Sequence, residues 1–245
     1  MSWMFPRSSG IHAPETREWI LGALYLPVFL FFLNFAILTY FPALGFPLTE
    51  PRNYFFANLL YMTVNFAVML LIFRRTLWQS LREFEGKMLL SVLIGFGMCY
   101  GANLVLTTAY TVLDIMPENY NQEAVNSLLG GYPLAMTLCT VVLAPLAEEC
   151  LFRGVLFAPL ARRCLPAAYA LSMFLFAGMH VFQFLGSMTA ANTILCLSLY
   201  LPASFSLCWV YQKTGNIWAC IFLHMFINFQ SVLASLLRSL MQAFL

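Results

Sequence analysis

Long apolar segments separated by short polar segments form the main pattern of this chain. A helix that crosses a bilayer needs about 20 mainly apolar residues. The predicted spans, seven in all, are residues 19–43, 53–73, 87–113, 132–160, 166–184, 190–211 and 216–243. The end of the last segment, from Ser231 to Leu245, leaves open an extra short C-terminal helix. The pattern predicts an all-α, polytopic transmembrane helical bundle of about seven spans.

Composition supports the class of membrane proteins and limits the kinds of partner that the chain can bind. Hydrophobic residues make up 62% of the chain and charged residues 9%, with a mean hydropathy of +0.81. A soluble domain carries about 25% charged residues, so this chain cannot cover a water-facing surface. The formal net charge of +2, without a basic patch, excludes the usual nucleic-acid-binding surface. We therefore expect the lipid bilayer as a partner and no nucleic acid, and make no prediction of oligomeric state.

Loop charges predict the orientation of the spans. Nine basic residues fall on one side if the spans alternate: Arg7, Arg17, Arg74, Arg75, Arg82, Lys87, Arg162, Arg163 and Lys213. The positive-inside rule then places the N-terminus in the cytoplasm, and we expect an integral multi-pass protein of the cell (plasma or inner) membrane. Residues 118–131 lie on the opposite side and are expected to form an external loop with a short surface helix ending at Gly130 and Gly131.

Three charged residues lie together inside the fourth predicted span. An ionisable group at membrane depth costs at least about 2.5 kcal/mol unless it is paired or faces a wet cavity. Glu149 and Arg153 are four residues apart with the acid first, the favoured order for an ion pair within a helix. Glu148 is rotated about 100° from Glu149 on the helix. We therefore expect Glu149 to be neutralised by Arg153, and Glu148 to face a cavity as a general base.

Two of the three histidines, His180 and His224, lie in the fifth and seventh predicted spans. At a rise of about 1.5 Å per residue, both fall near the depth of Glu148, as does Asn228. His224 and Asn228 share one helix face and are expected to donate two hydrogen bonds to a developing oxyanion. Phe176 lies one turn before His180 and is expected to pack beneath its ring. The third histidine, His12, is interpreted as a solvated residue of the polar N-terminal segment.

Other catalytic and non-catalytic roles for these residues are compared with that of a glutamate base. Asp114 is the only aspartate, so an aspartyl dyad is excluded, and neither span histidine begins the H-E-x-x-H motif of zinc proteases. Glu148, His180 and His224 still offer the two-histidine, one-carboxylate set of a zinc hydrolase. Intramembrane acids and histidines also build proton relays or interhelical hydrogen bonds. Four further span residues are interpreted as such interhelical hydrogen-bonding residues: Asn34, Asn58, Asn65 and Asn103.

The motifs Glu148-Glu149-x-x-x-Arg153, Phe176-x-x-x-His180 and His224-x-x-x-Asn228 resemble those of the CPBP family, the CAAX-processing and bacteriocin-processing (Abi) intramembrane endopeptidases. The resemblance covers about residues 130–230. It implies a glutamic peptidase without a metal cofactor, in which Glu148 and His180 activate water while His224 and Asn228 hold the oxyanion. The implied substrate is a prenylated, lipid-linked or hydrophobic membrane-associated protein or peptide.

The resemblance also divides the chain into two parts of a single membrane domain. Residues 1–115 are expected to comprise the N-terminal cytoplasmic segment and the first three transmembrane helices, and residues 116–245 the catalytic helical core. Glu149, Arg153 and Phe176 are assigned supporting roles. The alternatives that stay open are a zinc-dependent intramembrane metalloprotease, and a non-catalytic bacteriocin-immunity or proton-transport membrane protein.

Overall fold

A computed structural model describes residues 13–243 of the chain; His12 and Arg7 lie outside the described residues. The helices in chain order are α1 (Thr16–Ala43), α2 (Pro51–Ile72), α3 (Arg74–Arg82), α4 (Met88–Val112), α5 (Tyr120–Gly131), α6 (Pro133–Ala161), α7 (Leu165–Val181), α8 (Ala190–Thr214) and α9 (Ile217–Ala243). A 3₁₀ segment, Phe182–Ser187, extends α7.

The helices confirm the predicted fold class. Seven of them, all except α3 and α5, are long and apolar enough to cross a membrane, and their limits fall within a few residues of the predicted spans. The alternative of a separate helix after Ser231 is not found, because α9 continues without a break to Ala243. Gly215 ends α8 in the left-handed conformation (φ 65°), which lets α9 begin two residues later.

Helix α6 is the central helix of the bundle. Half of the residues in its most apolar 18-residue segment are buried, whereas 17% are buried in the corresponding segments of α1 and of α4. Two stretches of α6, Cys139–Leu143 and Cys150–Phe157, have the wider π-helical hydrogen-bond pattern. Both end just before a proline, Pro145 or Pro159, whose missing N–H interrupts the regular α-helical ladder. The two glutamates therefore lie on a short α-helical segment between two distorted ones.

A tryptophan from α1 satisfies part of the backbone that these prolines leave open. Pro159 has no N–H for the carbonyl four residues earlier, that of Val155, and Trp19 Nε1 donates a hydrogen bond to this oxygen at 3.1 Å. Such repair is needed inside a bundle, because no bulk water reaches the freed carbonyl. Gly22, one turn after Trp19, lets α1 approach closely: a Cβ atom there would lie 2.6 Å from the Val155 side chain.

The predicted surface helix is present as α5, and it is docked on the bundle. Asn119 caps its N-terminus by accepting a hydrogen bond from the Gln122 backbone N–H at 3.1 Å. Its last turns bury Leu128 and Leu129 in a small apolar cluster with residues of α2, α6 and α9. The ring of Tyr132, just after α5, stacks on Phe55 of α2 with 3.8 Å between ring centroids. Helix α5 is thus a fixed wall at one end of the molecule.

Close packing of α4 against α8 and α9 depends on Gly95. A Cβ atom at this position would lie 2.6 Å from Val210 and 2.9 Å from Leu223, whereas one at Gly97 would meet nothing within 4 Å. We expect Gly95→Leu to lower the free energy of unfolding by about 1–3 kcal/mol through overpacking, with little change for Gly97→Leu. Thermal unfolding in detergent measures both variants, and equal melting temperatures would contradict this packing.

Candidate active site

The ion pair predicted within α6 is present and fully enclosed. Arg153 Nη1 lies 3.1 Å from Glu149 Oε1, and both side chains have no exposed surface. The second terminal nitrogen of Arg153 donates to the backbone oxygen and the hydroxyl of Ser204 on α8, both at 3.2 Å. Because a buried guanidinium needs an opposite charge and several acceptors, these contacts fix α6 against α8.

Glu149 also binds His224, a contact that helical spacing did not predict. Its Oε1 atom accepts a hydrogen bond from His224 Nδ1 at 2.8 Å, so one carboxylate oxygen receives both Arg153 and His224. The other ring nitrogen, Nε2, lies 3.8 Å from Glu148 Oε2. The expectation that Glu149 is neutralised by Arg153 alone is therefore incomplete. Glu149 also orients the histidine of α9 toward Glu148.

Charge balance follows from these contacts. Two carboxylates, Glu148 and Glu149, face one guanidinium, Arg153, and one imidazole, His224. When His224 carries a proton on both ring nitrogens, the two positive side chains match the two carboxylates in number. In that form Nε2–H is a hydrogen-bond donor, as the predicted role in stabilising an oxyanion requires.

His180 is held by the helix that carries it. Its Nδ1 atom donates to the Phe176 backbone oxygen at 2.8 Å, because a carbonyl can only accept. In the neutral ring the lone pair then lies on Nε2. The Phe176 ring packs against both imidazoles, with centroids 4.9 Å from His180 and 5.5 Å from His224, and the Arg153 guanidinium lies 4.8 Å from it. Phe176 thus separates the ion pair from His180, a wider role than packing beneath one ring.

The position of Asn228 follows from the proline in α6. The Ala144 N–H bonds to the Cys139 carbonyl in the π-helical pattern, and Pro145 has no N–H to give. The next carbonyl, that of Thr140, therefore lacks both backbone donors that would normally reach it. Asn228 Nδ2 donates to this oxygen at 2.8 Å. One amide hydrogen ties α9 to α6, and the second stays available for another acceptor.

Glu148, His180 and Asn228 line one cavity of about 610 Å³. Glu148 and His224 are almost enclosed, at 9% and 3% exposure, and His224 lies behind Glu148. The structure thus brings the seven residues singled out from the sequence into one region, while their chemical roles stay predictions. The first two helices also supply much of the cavity wall, including Phe29, Phe31, Asn34, Phe35, Leu38, Asn58, Tyr61 and Met62.

The interpretation of four asparagines as interhelical hydrogen-bonding residues is correct for Asn65, which accepts from the Tyr25 hydroxyl at 2.9 Å. It is wrong for Asn58 and Asn103, whose amides donate within their own helices. Asn58 and Asn34 instead line the cavity. A helical pattern indicates which residues share a face, and it does not indicate whether that face meets a helix or a cavity.

The zinc alternative can be compared with the geometry. Among residues 13–243, no three histidine, cysteine, aspartate or glutamate side chains are grouped closely enough to hold a metal ion. His180 Nδ1 and His224 Nδ1 are both engaged within the protein, with the Phe176 carbonyl and Glu149 respectively.

Sequence reasoning missed the partners that hold these residues. Ser204 binds Arg153, Thr140 binds Asn228, and the ring of Tyr200 stacks on His180. Serine, threonine and tyrosine are common in spans and carried no charge signal. Pro145 was the one local indication that a backbone carbonyl near the site lacks a hydrogen-bond donor. The sequence alone did not reveal which side chain would donate to it.

The fold and the site define a multi-pass helical membrane protein with an acid, two imidazoles and an amide around an interior cavity. Residues 130–230 match the family described as "Type II CAAX prenyl endopeptidase Rce1-like". This region of the chain is similar to that family, and the resemblance inferred from the three motifs is confirmed.

The chain is also similar to one curated protein. The chain is 28% identical over 166 residues to "Putative membrane peptidase YdiL" of Bacillus subtilis (strain 168). The match covers 66% of this chain and 64% of that protein, so the chain spans less than two thirds of its relative's length. No solved structure matches the chain. The matched family and the relative are both described as peptidases.

The buried ion pair yields a stability prediction. Removing one partner of a buried pair leaves an uncompensated charge, so we expect Glu149→Ala or Arg153→Ala to lower the free energy of unfolding by about 3–5 kcal/mol. The exposed pair of Arg75 and Glu15, with 61% and 40% of the side chains accessible, provides the control: Glu15→Ala should cost at most about 1 kcal/mol. Denaturation in detergent compares them, and similar losses would contradict the structural importance of the enclosed pair.

Proposed function

We propose that this protein is an intramembrane endopeptidase that hydrolyses a peptide bond of a membrane-associated protein or peptide with a glutamate-activated water. The observation that carries the proposal is the pairing of Glu148 with His224 at the wall of a cavity that also holds His180 and Asn228. Glu149 and Arg153 neutralise each other nearby. Glu148 is thus the carboxylate left for chemistry.

Water activation is assigned to Glu148 and His180. Glu148 lines the cavity, and the Nδ1 bond of His180 to Phe176 leaves Nε2 as an acceptor. A water between these groups gives one proton to Glu148 while its oxygen attacks the scissile carbonyl. The same proton then passes to the leaving amine, so the products are a carboxylic acid and an amine. No covalent intermediate is needed.

Oxyanion stabilisation is assigned to Asn228, which lines the cavity, and to His224, whose Nε2 must reach past Glu148 to the substrate oxygen. The carbonyl oxygen becomes negative as water adds, and donors fixed before the reaction stabilise this charge most effectively. Glu149 fixes the ring of His224, and Thr140 fixes the amide of Asn228. Both donors are thus held by partners that do not take part in the reaction, which limits their reorganisation during catalysis.

The cavity wall supports a hydrophobic substrate. Aromatic and aliphatic side chains of α1 and α2 face the motif residues across the cavity, among them Phe35, Leu38 and Met62. Such a surface favours a lipid-linked chain or an apolar peptide segment over a soluble, charged one. The polar positions interspersed in it, Asn34 and Asn58, offer hydrogen bonds to a peptide backbone.

Orientation and location are part of the proposal. The C-terminal ends of α2, α6 and α8 lie on one side if the seven spans alternate, and five basic residues lie at or just after these ends: Arg74, Arg75, Arg162, Arg163 and Lys213. The positive-inside rule supports a cytoplasmic location for that side and for the N-terminus, in the cell membrane. Helix α5 would then lie on the external side. Reporter fusions at the loops after α3 and α4 test this arrangement.

The catalytic assignment is tested by comparing peptides released from membranes that contain wild-type protein or variants. We expect Glu148→Gln and His180→Ala to lower turnover at least about 100-fold, because each removes a group that handles the proton. Glu123→Gln, at an exposed glutamate of α5, is the matched control and should keep wild-type turnover. Near-normal cleavage by Glu148→Gln would rule out this base.

Two further arms of that experiment address the alternatives. Loss of activity in a chelator, with recovery on adding zinc, would favour a metalloprotease. Proton flux through reconstituted vesicles without cleavage would favour a transporter. Neither cleavage nor flux would favour a binding or immunity protein. In each case the folded state of the variants is checked by their melting temperature.

The substrate wall is tested by filling the cavity from α2. Met62 lines the cavity, whereas Leu70 on the same helix faces outward with 42% exposure. We expect Met62→Trp to lower kcat/KM at least about tenfold by occluding the substrate space, because loss of about 1.4 kcal/mol of transition-state stabilisation suffices. Leu70→Trp should leave kcat/KM unchanged. Equal activity of the two variants would mean that substrate does not use this wall.

A further inference from the structure

The imidazole of His180 lies between two aromatic rings. Phe176 on its own helix has its centroid 4.9 Å away, and Tyr200 of α8 has its centroid 4.5 Å away with an interplanar angle of 22°. The second arrangement is a stack, and aromatic stacks prefer such offset or near-parallel geometry. With Nδ1 bonded to the Phe176 carbonyl, the plane and the rotation of the ring are both constrained.

Tyr200 is itself held at its far end. Its hydroxyl donates to Asn119 Oδ1 at 2.9 Å and accepts from Asn121 Nδ2 at 3.2 Å. Asn119 Oδ1 also accepts the Gln122 N–H, so the atom that caps α5 is the atom that receives Tyr200. Because Tyr200 is hydrogen-bonded through its hydroxyl and stacked through its ring, the hydrogen bonds at one end help to fix the ring that contacts His180 at the other.

The residue before this cap is fixed independently. The backbone N–H of Glu118 donates to Asn192 Oδ1 at 2.9 Å, and Asn192 Nδ2 donates back to the Glu118 carbonyl at 3.0 Å. This pair of bonds joins the start of α5 to the first turn of α8. Asn119 therefore stays near Tyr200 when the tyrosine is changed, which makes the hydrogen bond separable from the docking of α5.

We propose that Tyr200 is a positioning residue that orients His180 for water activation and that Asn119, at the start of α5, holds Tyr200 in place. The inference rests on the proposed function, since it assigns His180 a part in catalysis. It extends that function by making a helix outside the three motifs part of the catalytic support. A small rotation of a catalytic group lowers the rate of the chemical step with little effect on binding.

Tyr200 also lines the cavity, so a contact with substrate is the competing explanation. The two explanations differ in their kinetics: loss of positioning lowers kcat, whereas loss of a binding contact raises KM. We expect Tyr200→Leu, which removes the stack, to lower kcat about tenfold with KM unchanged. Tyr200→Phe, which keeps the ring and removes the hydroxyl, should lower kcat only about threefold.

The hydrogen bond to α5 is tested by a pair of variants at Asn119. Asn119→Asp retains an acceptor oxygen and should keep wild-type kcat, while Asn119→Ala should match the loss in Tyr200→Phe. Combining Tyr200→Phe with Asn119→Ala should give no further loss beyond about a factor of two, because both changes remove the same bond. Tyr110→Leu is the control, since Tyr110 bonds to Ser198 of α8 at 2.6 Å and belongs to another helix pair.

The outcomes are distinct. Wild-type kcat in Tyr200→Leu, or a raised KM with kcat unchanged, overturns this proposal and leaves the proposed function standing. Multiplicative losses in the double variant overturn the role of Asn119. No cleavage by the wild-type chain overturns the proposed function, and this proposal with it. Should Tyr200→Leu fail to fold, the Tyr200→Phe and Asn119 variants decide, because each leaves the ring in place.

Discussion

The shared oxygen of Glu149 is the constraint around which the site is built. A carboxylate inside a bundle must be neutralised, and here Oε1 receives both Arg153 and His224. The contact with His224 requires that α9 turn this side chain inward. The Arg153 guanidinium needs further acceptors, which Ser204 of α8 supplies. Three helices are thereby fixed in register by one charged group. The same contacts place His224 next to Glu148.

Backbone irregularity contributes in a second way. Pro145 leaves the Thr140 carbonyl without a backbone donor, and Asn228 supplies one. In a membrane, a carbonyl without a backbone donor is tolerated only where it is buried in protein or borders a cavity. The Thr140 carbonyl meets both conditions. The distortion that a proline imposes on α6 is thus used to hold an amide at the cavity wall. The π-helical stretches on either side of the glutamates follow the frequent location of such distortions at functional sites.

Sequence periodicity and charge predicted the spans, the fold class and the ion pair, because these depend on local spacing and on the cost of burying charge. The bond between Glu149 and His224 was beyond local reasoning, since the residues lie 75 positions apart. The cavity wall formed by α1 and α2 was missed for a related reason. Apolar residues that face lipid and those that face a cavity have the same composition, so Met62 and Leu70 look alike in sequence.

The region that matches the family contains all seven residues singled out from the sequence, while much of the apolar cavity wall comes from residues before 63. If the proposed function holds, chemistry and substrate selection are carried by different parts of the chain. The chemistry is constrained by charge balance and tolerates few changes. Apart from Asn34 and Asn58, the wall needs only volume and apolar character, and many side chains supply these. Changes in α1 and α2 can therefore alter substrate choice without disturbing the acid, the imidazoles or the amide.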